Sequence, residues 1–249
     1  MVRYFLTLAY NGTPFHGWQR QPNAISVQQT LEEALSTLLR QPIAIVGAGR
    51  TDTGVHARMM VAHFDAELDQ STQENLVHKL NSFLNENIAI YRLQTVHETA
   101  HARFDAYSRS YEYHLEFDKN PFKHQAAYRI YQLPDLEVMN RAAAMLLKHK
   151  DFEAFSKSNT DVKTFLCTIT HAQWEPIHRG AVFYISANRF LRNMVRAIVG
   201  TLLEIGWGKL ALDDMNRIIE SKNRGEAGFS VPASGLYLTQ ITYPEEIYK

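Results

Sequence analysis

The 249-residue chain holds a single cysteine, Cys167. That excludes an intramolecular disulfide, and a zinc site built on thiolates would have to recruit ligands of other kinds. No run of about 18 apolar residues is present to span a bilayer. The opening stretch, MVRYFLTLAYNG, enters a strand-like alternation without the basic, apolar and small-residue zones of a signal peptide. A cytoplasmic protein with no membrane partner is expected. Net charge is missing as well, since 26 Lys+Arg face 26 Asp+Glu. A chain that coats nucleic acid through bulk charge is thereby excluded, so any nucleic-acid site has to be a local basic cleft. Four familiar patterns are also lacking: G-x-x-x-x-G-K-[ST], G-x-G-x-x-G, H-E-x-x-H and G-x-S-x-G. Their absence removes the phosphate-binding loops, the zincin helix and the serine elbow. The lone thiol sits in TFLCTI, which reads as a core strand position.

What is present suits a globular chain with a substantial core: 45% of residues are hydrophobic and 21% charged. Residues 3–10 alternate, with Tyr4, Leu6, Leu8 and Tyr10 on one side and Arg3 and Thr7 on the other, which predicts a half-buried strand. Ser26 and Gln29 make a capping-box pattern ahead of Val27, Leu31, Leu35 and Leu38, a helical stripe that ends near Pro42. Short strands are predicted at 43–47 and 59–66. Ser71 with Glu74 reads as the cap of a second helix carrying Leu76, Leu80 and Phe83, and a strand near 88–97 follows. This β-α-β-β-α-β order recurs in strand 107–117, helix 135–148, strands near 166–175 and 181–187, helix 190–204 and a last strand at 236–242. A short helix at 211–221 and a loop from Gly225 to Gly235 are added to the repeat. The pattern predicts an α+β fold of two abutting ferredoxin-like (RRM-like) halves, 1–104 and 105–249, with mostly antiparallel sheets and a cleft between the halves.

Between two predicted strands lies GAGRTDTGVHA, which packs three glycines, Arg50 and Asp52 into a tight connection. Such a loop presents side chains at a strand edge. Arg50 and Asp52 are two residues apart, so an extended backbone projects both to one face. On residue types alone, Asp52 could equally be a loop residue capping its own turn. His56 and His63, seven apart, read as packing or polar residues, with no metal site implied. Arginines gather at Arg50 and Arg58, at Arg103 and Arg109, and at Arg189, Arg192 and Arg196, and clustering by itself is what a solvated face also shows. On a helix over 190–204 the last three fall on one stripe, with Phe190, Leu191, Met194, Val195, Ile198 and Leu202 opposite, so a core face and a basic face are predicted. Tyr111, Tyr113, Leu115 and Phe117 alternate with Glu112, His114 and Glu116, which makes Tyr111 the first residue of an apolar strand face.

GRTDTGVHA resembles the signature of the tRNA pseudouridine synthase A family. YNGTPFHGWQRQP, SVQQTLEEAL, NSFLNENIAI, HARFDAYSRSYEYHL, FLRNMVRAIVG and SGLYLTQITYP resemble further segments of that family, in its order and at its spacings. The resemblance covers essentially the whole chain. It implies two α+β halves whose sheets join at the cleft, a homodimer, and transfer RNA as partner, with uridines 38, 39 and 40 of the anticodon stem-loop as targets. It further implies that Asp52 is the catalytic carboxylate and that Arg50 fills the space of, or helps expel, a flipped base. By the same resemblance Tyr111 stacks on the target uracil, Arg196 pairs with Asp52, and the stretch Gly235 to Leu238, including Leu236, lines the pocket. Arg58, Arg109, Arg189 and Arg192 are the implied RNA contacts. Cys167 stands where many members carry arginine, a departure that bears on RNA contact there and leaves the chemistry untouched.

Those residue types suit the reaction. Pseudouridine formation breaks the N1–C1′ bond, turns the uracil and rejoins it through C5, so no redox or group-carrying cofactor is needed. A carboxylate with a reference pKa of about 3.9 is ionised at neutral pH without an activating base. A guanidinium can orient it through two parallel hydrogen bonds and favour the charged form in a dry pocket. Extruding a paired base costs a few kcal/mol, which stacking on an aromatic ring, about 1 to 3 kcal/mol, can offset. The Tyr111 phenol could also take the C5 proton. Whether the carboxylate attacks the ring, attacks the sugar or abstracts a sugar proton is open at this level. Two other classes compete. A non-catalytic pair of RRM-like modules calls for an aromatic RNP1-like strand, which is not found, and a metal-dependent hydrolase calls for more carboxylate and histidine ligands than surround Asp52.

Overall fold

The computed structural model describes residues 1–157 and 163–249, which form two compact units: Met1–Tyr107 with Leu238–Lys249, and Ser108–Tyr237. The first unit runs β1 (Val2–Tyr10), α1 (Val27–Leu39), β2 (Val46–Gly47), β3 (His56–Ala66), α2 (Gln70–Phe83) and β4 (Ile88–Val96). β1 lies between β3 and β4 and is antiparallel to both, with Leu6 opposite Ala62 on one side and Leu93 on the other. The predicted strand at 43–47 shrinks to β2, which pairs through Val46 and Gly47 with His63 and Ala62. Tyr4, Leu6, Leu8 and Tyr10 are buried as their alternation requires, and Leu31, Leu35, Leu76 and Leu80 of the helices are fully buried. The opposite face of β1 is covered too: Phe5 is buried against the rings of Tyr243 and His63.

Both helix starts follow from capping. Ser26, in extended conformation, accepts the Gln29 N–H at 3.2 Å, the predicted cap. At α2 the predicted cap is corrected. Asp69, not Ser71, accepts the Thr72 N–H at 2.7 Å, and Ser71 lies inside the first turn. An ionised carboxylate is the stronger acceptor and is also favoured by the partial positive charge of a helix N-terminus.

The second unit runs β5 (Ser108–Glu116), β6 (Tyr128–Arg129), α3 (Leu136–Leu146), β7 (Ile169–Ile177), β8 (Gly180–Ala187), α4 (Met194–Gly206) and α5 (Asp214–Ser221). β8 is antiparallel to both β5 and β7, and the short β6 runs parallel to β5. Trp174 stacks on Phe183 at 5.0 Å in this core. Its backbone is tied to α3 by the Asn140 amide, which both donates to Trp174 O and accepts from Trp174 N. The last strand, β9 (Leu236–Thr242), carries the division between the units between Tyr237 and Leu238.

The basic helix predicted over 190–204 is also corrected. α4 begins at Met194, after Asn193 in the left-handed region at φ 67°. Arg189, Phe190, Leu191 and Arg192 therefore precede it, and no helical stripe joins Arg189 and Arg192 to Arg196. Within α4, ten of thirteen residues are buried, Ala197, Val199, Thr201 and Leu203 among them, so the helix is enclosed nearly all round instead of offering a basic face.

His63 supplies the clearest pH handle of the first unit. It is buried, its Nδ1 accepts the Ala102 N–H at 3.1 Å, and its ring meets His101 edge-on at 4.7 Å. Burial, helped by the positive charges of Arg3 and His101 and opposed by Asp65 and Asp105, lowers its pKa to about 4. The unfolded chain then binds a proton between roughly pH 6.5 and 4 that the folded chain refuses, so the histidine's contribution is intact above about pH 6.5 and lost as pH falls through that window. Urea unfolding at pH 7, 5.5 and 4.5 is expected to show a loss of at most about 3 kcal/mol from this group. In His63→Asn, whose Oδ1 still accepts from Ala102, that part of the slope disappears.

Candidate functional site

The connection between β2 and β3 is held against the segment that follows β1. Tyr10 Oη lies 2.8 Å from Thr51 Oγ1, Trp18 N–H donates to Thr51 O at 3.2 Å, and Gly12 N–H donates to His56 Nδ1 at 3.1 Å. Within the connection, Val55 N–H donates to Asp52 O at 3.1 Å, and Gly54 takes φ 80° in the turn. The two backbones touch where side chains are missing. A Cβ on Gly12 would fall inside the Val55 carbonyl, and one on Gly17, itself at φ 82°, inside the Thr51 carbonyl. Asp52 is half-buried on this connection, between Thr51 and the exposed Thr53.

Arg50 is exposed, and its described partner is Gln19: Nε donates to Gln19 Oε1 at 3.2 Å. That bond ties Arg50 to the segment after β1. His56 and His63 are polar core residues, each accepting a backbone N–H. Tyr10, Gly12 and Gly17 lie in the YNGTPFHGWQRQP stretch, but the sequence alone gives none of them a role in holding this connection. Their signal is a bond between residues 41 to 44 positions apart, to which local spacing is blind.

In the second unit, Tyr111 lies on β5 opposite Ile185, half-buried, with its ring edge-on to Phe190 at 5.1 Å and 88°. Two residues on, and so on the same strand face, Tyr113 is buried and donates its hydroxyl to Pro232 O at 2.8 Å. Burial holds the Tyr113 phenol well above its ordinary pKa, against the downward pull of the Arg196 guanidinium. Arg196, in the first turn of α4, donates Nε to Val231 O at 2.7 Å, and the Val231 N–H returns to Arg196 O at 3.3 Å. Gly235 lies flat on the tyrosine, for a Cβ there would stand 2.8 Å from Tyr113 Cζ. Leu236 and Leu238 are buried. The structure therefore brings Tyr111, Arg196 and Gly235 around Tyr113, a residue the sequence placed on the apolar face without giving it a role in the site.

The remaining arginines are placed on β3, on β5 and on the stretch between β8 and α4. Arg58 is exposed on β3, Arg109 donates Nη1 to Asn188 O at 2.8 Å, and exposed Arg192 uses its carbonyl for the Lys157 N–H. Arg189 lies close enough to Cys167 to lower its thiol pKa, but burial dominates and pushes it up to about 11. Cys167 is buried, as expected, but it lies just ahead of β7 and not on the strand, and its N–H donates to Lys150 O at 2.8 Å.

Over residues 7–105 and 142–244 the chain matches the family described as tRNA pseudouridine synthase. Among similar proteins, the tRNA pseudouridine synthase A of Porphyromonas gingivalis is 53% identical and aligned over 100% of both chains. That of Parabacteroides distasonis is 52% identical over 100% of this chain and 98% of its own. That of Bacteroides fragilis is 51% identical, with 99% and 98% covered.

Backbone contact as the support of the Asp52 connection sets two glycines apart. Gly17→Ala forces a left-handed φ and a clash with Thr51 O, and is expected to destabilise by about 1 to 3 kcal/mol. Gly49→Ala meets no atom within 4 Å of its new Cβ and is expected to stay within about 0.5 kcal/mol of the parent. Thermal unfolding of the two variants side by side makes the comparison.

Proposed function

The chain belongs to the tRNA pseudouridine synthase family, and on that footing we propose that Asp52 is the catalytic carboxylate of an isomerase acting on uridines of the tRNA anticodon stem-loop. The observation that carries the reading is a half-buried acid on a connection braced by backbone contact with residues 12–18. A loop held in this way keeps a carboxylate in one place without side-chain ballast, which is what a group acting on a single sugar or ring atom requires.

In this reading the target uridine, at position 38, 39 or 40, is extruded from the stem and held by Tyr111, while Arg50 occupies or helps empty the place the base leaves. Arg196 pairs with Asp52 and keeps it ionised in a pocket closed to water. Its anchoring to Val231 fixes where the guanidinium points, and the anchoring of Tyr113 to Pro232 fixes the strand face beneath Tyr111. Gly235, Leu236 and Leu238 line the pocket, and Arg58, Arg109, Arg189 and Arg192 meet phosphates individually. In the same reading each subdomain, 1–104 and 105–249, is built as a ferredoxin-like half. The strand and helix order of each unit supports this. The enzyme acts as a homodimer in the cytoplasm. No helix among the described residues is long and apolar enough to cross a membrane.

Isomerisation moves no electrons out of the substrate and transfers no group to or from a carrier, so the proposed step needs no cofactor and is expected to run at full rate in a chelator. Asp52→Asn keeps the shape of the side chain and removes the charge. With anticodon stem-loop transcripts carrying 5-tritiated uridine, this variant is expected to lose tritium release by on the order of 10³-fold or more while tRNA binding stays close to that of the parent. Normal release from Asp52→Asn would remove Asp52 from the chemistry. Transcripts lacking uridine at 38, 39 or 40 in turn identify the target.

A further inference from the structure

The bond from Arg50 to Gln19 is one end of a longer chain inside the first unit. Gln19 Nε2 donates to Gln28 Oε1 at 2.7 Å, and Gln28 Nε2 donates both to Glu32 Oε1 and to Ile45 O, each at 3.0 Å. Glu32 is 9% exposed. Its carboxylate also accepts the Ile45 N–H at 3.1 Å and Arg20 Nη1 at 3.2 Å, and Arg20 N–H adds a second bond to Gln28 Oε1. The direction of the chain is fixed at its ends. A guanidinium can only donate and an ionised carboxylate only accept, so the amides between them must each turn oxygen toward Arg50 and nitrogen toward Glu32. A glutamine amide suits each link of this path, since its oxygen accepts and its nitrogen donates. A glutamate at 19 or 28 would set two acceptors against each other.

We propose that Gln19 and Gln28 are positioning residues that hold the Arg50 guanidinium in one place on the connection that carries Asp52, anchored on the buried carboxylate of Glu32. Arg50 is exposed and long, and such a side chain loses much rotamer freedom when it must meet a substrate in one place. A tether running back to a buried carboxylate restrains it beforehand, so less freedom is lost in the complex. The proposal rests on the role of Arg50 given above, and it adds that this role depends on two amides that do not themselves touch the uridine.

A double-mutant cycle tests it, with single-turnover tritium release and tRNA binding measured for Gln19→Ala, Arg50→Ala and the pair. Gln19 is exposed, so its truncation leaves the core intact, and urea unfolding of each variant verifies this. Gln19→Ala is expected to slow the step roughly two- to tenfold, the range one modest hydrogen bond spans, with tRNA affinity nearly unchanged. In the Arg50→Ala background the same substitution is expected to have no further effect. Equal slowing in both backgrounds would mean that Gln19 meets the RNA itself, and unchanged rate in Gln19→Ala would mean that Arg50 needs no tether. Either result overturns the proposal while leaving the role of Arg50 standing. A full rate in Arg50→Ala removes that role, and the tether with it. Gln19→Glu serves as the orientation control: it keeps an acceptor for Arg50 but opposes Gln28 Oε1, and is expected to slow the step as alanine does.

Discussion

The site depends on backbone meeting backbone at Gly12 and Gly17. A connection between two strands is ordinarily the most mobile part of the pair, because it has few apolar contacts to hold it. Here it is braced by carbonyl groups in van der Waals contact with two α-carbons that bear no side chain, and the hydroxyl of Tyr10 and the Nδ1 of His56 close its two ends. Side chains can rotate out of a contact. A main chain packed on a main chain moves only if both segments move, so the acid inherits the rigidity of β1 and β3.

In the second unit the same problem is met with a helix. Arg196 projects from the first turn of α4, whose other residues are almost all enclosed, and its Nε is committed to Val231 while Val231 donates back to the helix. A helix enclosed nearly all round has little freedom to roll or slide. The phenol of Tyr113, kept neutral by burial, lies close to that guanidinium without competing for it as an anion would.

Much of this arrangement was legible in the sequence, and the failures have a common physical origin. Ser26 could be read as a cap because its partner is three residues away, and Leu31, Leu35, Leu76 and Leu80 fell on their predicted core stripes. Asp69 and Ser71 both precede the apolar run, and only the chain direction at the start of α2 makes Asp69 the cap. Arg189, Phe190, Leu191 and Arg192 have helical spacing but are not helical, since Asn193 at φ 67° turns the chain first. Spacing registers a periodicity without registering where the backbone begins to honour it. Around Asp52, the glycines and the acid announced a tight connection. What braces that connection lies about forty residues upstream, in YNGTPFHGWQRQP, a stretch that family resemblance marks but local periodicity does not connect to Asp52. Arg50 shows the same limit, for two-residue spacing relates it to Asp52 on one face, while its partner in the folded chain, Gln19, lies 31 residues away.

Cys167 carries a practical consequence. The only sulfhydryl of the chain is enclosed, and its thiol titrates near 11, so at neutral pH it is almost entirely protonated and shielded from electrophiles. The native protein therefore supplies its own silent background for maleimide chemistry. A cysteine placed at the rim of the Asp52 connection would carry a fluorophore or spin label alone, and the approach of RNA to that loop could be followed without first deleting a native residue.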